Sequence, residues 1–187
     1  FDEDRRLITI MVNKEGRMPD RQTALEELNQ KTLATARRNF TNLNTAEAIL
    51  QFAHNISQRG EHLRELSIEA LDKGLTLKYE PMLPPITREQ DRDPINLRDL
   101  WLEALKITGK LGSYTKRMLN NRGYLGSYQH QVSKLSKIGT LGFVILGQHN
   151  ALQYSAEYVM YHHFPQLLSD RQISRIKEIL TEAGMQV

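Results

Sequence analysis

The chain has no cysteine in 187 residues. That excludes a disulfide scaffold, a zinc–thiolate site and a cysteine nucleophile. It suits a reducing compartment, so a cytoplasmic or otherwise reducing intracellular location is expected. Long apolar runs are missing as well. The most apolar stretch, Ile138 to Leu146, is broken by Gly139 and Gly142 and is too short to span a bilayer. The opening Phe1-Asp2-Glu3-Asp4-Arg5-Arg6 is charged, unlike a signal peptide, and begins without methionine. A processed chain or a domain of a longer protein is expected, acting away from membranes.

Catalytic signatures are also lacking. The glycines at 109, 112, 123, 126, 139, 142 and 147 do not form a phosphate-binding loop ending in Lys-Ser/Thr, and there is no Gly-x-Ser-x-Gly turn. His162 and His163 are adjacent and therefore point about 100° apart on a helix. With no His-Glu-x-x-His pattern beside them, they make a poor metal pair. The sequence reads as a non-enzyme with no metal or cofactor.

The most informative absence is that of acid. Between Ala104 and Ala156 there is no aspartate or glutamate, in a chain with 22 acids among 187 residues. The same stretch carries Lys106, Lys110, Lys116, Arg117, Arg122, Lys134 and Lys137, a local charge of +7 in a chain whose net charge is +3. Residues 1–103 hold 15 basic and 18 acidic side chains, net −3, and residues 157–187 hold 3 and 4, net −1. An ordinary solvated surface mixes both signs. One that excludes carboxylates is built to meet an anion, and a polyanion above all.

Within this stretch Tyr114, Tyr124 and Tyr128 alternate with the cations, and Asn120, Asn121, Gln129 and Gln131 add amides. Cations neutralise phosphates, tyrosines stack on unpaired bases, and amides bond to base edges and sugars. The expected ligand is nucleic acid, single-stranded and RNA rather than DNA. The expected role is that of a nucleocapsid-type viral protein or a polymerase cofactor. Leu111-Gly112-Ser113-Tyr114 recurs as Leu125-Gly126-Ser127-Tyr128. The repeat predicts two glycine turns, each followed by a serine N-cap, and hence two helix starts able to receive phosphate. The alternative reading of the basic segment is a helical protein–protein module that docks an acidic partner, including the N-terminal half of a second copy. Tyr154, Tyr158 and Tyr161, spaced 4 and 3, would then form an interface stripe on a helix running Asn150–His163.

Helical signals dominate the chain. Capping pairs Thr23/Glu26, Asn44/Glu47, Asn96/Asp99 and Ser169/Gln172 predict four helix starts. Leu97, Leu100, Trp101, Ala104 and Leu105 form an amphipathic stripe, and Ser113–Asn121 and Tyr128–Leu146 read as further helices. Gly74 is a candidate helix C-cap, and Leu7–Val12 and Leu75–Tyr79 are the two strand-like segments. The prediction is an all-α protein of seven to eight helices. Residues 1–80 form an N-terminal helical subdomain, 81–95 a proline-rich linker or loop with Asp91 and Asp93 solvated, and 96–187 a basic helical subdomain.

Overall fold

The computed structural model describes residues 21–134 and 140–187, so the strand-like Leu7–Val12 lies outside the described residues. Among the described residues there are eight α-helices and no strand, which makes the fold all-α. The chain divides into two compact units, the first ending at Leu75 and the second running Thr76–Val187. Among the described residues no helix is long and apolar enough to cross a membrane.

In the first unit, α1 (Arg21–Thr41) and α2 (Ala46–Ser57) precede α3 (Arg64–Tyr79), whose last turn enters the second unit. Ala36 and Phe40 from α1, Ile49, Ala53 and Ile56 from α2, and Leu63, Leu66 and Ala70 form one apolar core. Phe52 stacks on Phe40 with ring centroids 5.7 Å apart. Each fully buried Ile or Leu contributes about 1.5–3 kcal/mol here. Two cap predictions shift. Thr23 lies inside α1, and Thr45, not Asn44, accepts the Ala48 amide at the start of α2. Gly60, at φ +131°, interrupts the chain before a 3-10 turn over Glu61–Leu63. Gly74 does not cap a helix but sits within α3, where a Cβ would stand 2.8 Å from Leu50. The close approach of α2 therefore overrides both the C-cap signal of Gly74 and the strand pattern of Leu75–Tyr79.

In the second unit, Asn96 caps α4 (Leu97–Thr108) by accepting from the Arg98 and Asp99 amides, and Gly109 at φ +70° ends it. The Asn96/Asp99 signal thus marks a real helix start. α5 (Ser113–Ser133) follows, then α6 (Leu141–Gln148) capped by Thr140, α7 (Ala156–His163) capped by Ser155, and α8 (Asp170–Glu182). α8 begins in the predicted Ser169/Gln172 capping box. The helix expected over Tyr128–Leu146 stops at Ser133, and a new one starts after Thr140.

α7 lies between α5 and α8 and buries Ala156, Val159 and Met160. Glu157 is fully buried beside them, and its Oε1 accepts the Thr140 amide at 2.9 Å. Burial outweighs that hydrogen bond and raises the Glu157 carboxyl above its usual range.

Candidate nucleic-acid interface

α5 is two helical segments joined at a kink. Gly123 has φ +72° and ψ −176°, a combination open in practice to glycine alone. The residues predicted as linker fasten both sides of it. The Asp91 carboxylate accepts the Leu125 amide at 2.7 Å, at the start of the second segment. The Arg88 guanidinium donates to the Arg122 and Asn121 carbonyls, at the end of the first. An anion at a helix start and a cation at a helix end each complement the local dipole. The Tyr124 hydroxyl donates to the Pro84 carbonyl and anchors the same loop. Asp91, expected as solvated loop, is 1% exposed.

This geometry corrects the reading of the repeated Leu-Gly-Ser-Tyr. Neither serine is a cap. Ser113 is the first residue of α5, with Gly112 at the N-cap and no side-chain cap bond. Ser127 is buried within the second segment and donates to the Gly123 carbonyl at 2.6 Å. The second helix start does attract an anion, but that anion is the chain's own Asp91.

The predicted site residues separate into two groups. Met118 and Leu119 hold the first segment of α5 on the core. Its other side exposes Lys116, Arg117, Asn120, Asn121 and Arg122. Lys110 and Lys134 are exposed beyond the two ends of α5. None of Lys110, Lys116, Arg117, Arg122 and Lys134 forms an ion pair among the described residues. Tyr114 is 55% exposed, and its hydroxyl lies 3.0 Å from His130 Nε2. Partial burial, together with the Lys134 and Arg122 charges, lowers the His130 imidazole below its ordinary range.

The other group serves the core. Lys106 is 8% exposed at its side chain, and its ammonium sits 2.8 Å from Glu103, the acid at the edge of the acid-free stretch. Tyr124 and Tyr128 are 1% and 2% exposed, so neither ring can stack on a base. Burial pushes the Tyr124 hydroxyl up to about 12, which keeps it a hydrogen-bond donor. Tyr128 packs against Trp101 with centroids 5.3 Å apart. Lys137 lies outside the described residues.

The tyrosine stripe is broken in the structure. Tyr154 belongs to a 3-10 turn (Leu152–Tyr154), and Ser155 starts α7 afresh. Tyr158 and Tyr161 instead pack on His162, at 4.1 and 5.1 Å between ring centroids.

One feature had no sequence signal. Beside the kink lies an open polar hollow of about 460 Å³ whose lining includes Arg88, Gln90, Asn121, Arg122, Gln129 and His130. It contains donors and neutral acceptors but no carboxylate. Arg88 and Gln90 come from the loop that reads as a linker, and only the fold brings them to α5. Among the described residues no cluster of His, Asp or Glu is arranged to hold a metal ion. No protein-family model, curated protein or solved structure matches the chain.

Proposed function

We propose that the second unit binds single-stranded nucleic acid, RNA in preference to DNA, over the exposed side of α5 and the hollow beside its kink. The observation that carries this reading is the set of five exposed cations, Lys110, Lys116, Arg117, Arg122 and Lys134, with no ion pair among the described residues. Unpaired cations gain more from a phosphate than cations that must first leave a carboxylate. Arg122, Asn121, Gln129 and Gln90 offer donors and acceptors suited to sugar hydroxyls and base edges, and Tyr114 offers an exposed ring for stacking. A nucleocapsid-type or polymerase-cofactor role, as in a viral protein, follows by analogy of architecture.

The test is fluorescence polarisation with labelled single-stranded RNA over a salt series. Log affinity against log salt falls with a slope of about −0.7 per phosphate engaged. Joint replacement of Lys116, Arg117 and Arg122 by alanine should weaken binding and flatten that slope. Unchanged binding by the triple variant would remove the site.

A further inference from the structure

The second unit also carries an apolar cleft of about 610 Å³, walled by Leu105, Leu111, Met118, Phe143 and Leu146. Trp101 and Tyr128 line it too. The Trp101 indole N–H and the Tyr128 hydroxyl are both buried and without a hydrogen-bond partner. A native core leaves few such groups, and each costs about 1–3 kcal/mol. Large apolar side chains stand open at the cleft: Leu141 is 77% exposed and Tyr114 55%. Lys110 and Lys134 line it as well, and no acid does. An occupant that matches the apolar walls and the basic, acid-free rim brings apolar side chains flanked by carboxylates.

This chain carries such a surface on its first unit. Residues 61–72 contain Glu61, Glu65, Glu69 and Asp72 against Arg64; Glu61 pairs with Arg64 and Glu69 with Arg37, and Glu65 stands beside the apolar face of α3. On α3 Ile68 is 58% exposed and Leu71 47%, three residues apart on one side, with Glu65 one turn before Ile68.

We propose that copies of this chain associate head to tail, the Glu65–Ile68–Leu71 face of α3 in one copy docking into the Leu141-rimmed cleft of the next. Ile68 and Leu71 fill the cleft, and Glu65 meets Lys110 or Lys134. The contact joins two different surfaces, the kind of contact that builds rings or filaments. It shares Lys110, Lys134 and Tyr114 with the nucleic-acid reading, so association is measured on chain freed of nucleic acid.

Sedimentation velocity on the full chain, freed of nucleic acid by nuclease and high salt, tests it. The average mass should rise with concentration above the 21.6 kDa monomer and fall back as salt is added. Leu141→Glu and Ile68→Lys, both at exposed positions and checked for unchanged circular dichroism, should each weaken association about tenfold or more. An equimolar mixture of the two variants retains one intact interface and should form a pair and nothing larger. A wild-type chain that stays monomeric at every concentration overturns the proposal. So do variants that associate as well as wild type, or a mixture that remains monomeric.

Discussion

The Asp91 carboxylate accepts the Leu125 amide at 2.7 Å, and its other oxygen would stand 2.5 Å from a Cβ placed on Gly123. The carboxylate, the kink and the glycine are therefore one device. Removing Asp91 leaves a buried amide at a helix start without its acceptor. Asp91→Ala should cost about 1–3 kcal/mol. At about 2–4 °C per kcal/mol for a chain of this size, that is a visible shift in thermal unfolding. Asp93→Ala, in the same loop but exposed, should leave the melting temperature nearly unchanged.

Two glycines that look alike in the sequence should behave differently. Gly123→Ala places a methyl group against Asp91 at a positive φ and should be strongly destabilising. Gly112→Ala meets nothing within 4 Å at an ordinary φ of −61° and should be tolerated. Chemical denaturation of the two variants checks the difference.

Glu157 predicts a dependence of stability on pH. Its folded-state carboxyl titrates above the ordinary value of 4.5 because burial disfavours the charge. The folded state therefore holds the proton more tightly than the unfolded chain. This contribution to stability is complete below about 4.5 and is lost as pH rises through the raised value. Glu157→Gln keeps an oxygen for the Thr140 amide and removes the charge. It should raise the melting temperature near neutral pH and bring no gain in acid, as read by calorimetry at the two pH values.

His130 gives the proposed nucleic-acid surface a pH response of its own. Its lowered pKa leaves it neutral near pH 7, and acidification adds a cation beside Arg122 and Lys134. A bound phosphate favours the charged form, so RNA affinity should rise as pH falls below the ordinary imidazole range of about 6.5. His130→Asn should flatten that rise.

The sequence revealed helices where the signal was local. Asn96 and Ser169 start helices where their capping partners predict. It misled where tertiary contacts decide. Gly74 resembles a C-cap but is a packing site beneath Leu50, and Ser127 resembles an N-cap but bonds back to Gly123. The acid-free stretch singles out Lys116, Arg117 and Arg122, which the structure leaves exposed. Composition alone cannot tell a cation on the surface from Lys106 held by Glu103, or an open Tyr114 from a buried Tyr128. Arg88 and Asp91 were invisible as partners of α5, because more than thirty residues separate each from the backbone groups it binds.

The proposed phosphate contacts rest on five exposed cations without an ion pair among the described residues. The most direct measurement is the salt dependence of RNA affinity for the wild-type chain, the Lys116/Arg117/Arg122 triple alanine variant and Lys106→Ala. Wild type should give a slope of about −2 to −4, the triple variant a shallower slope with about tenfold or greater loss of affinity, and Lys106→Ala no change in slope. RNA binding that is absent at low salt, or equally steep in the triple variant, would contradict the proposed contacts.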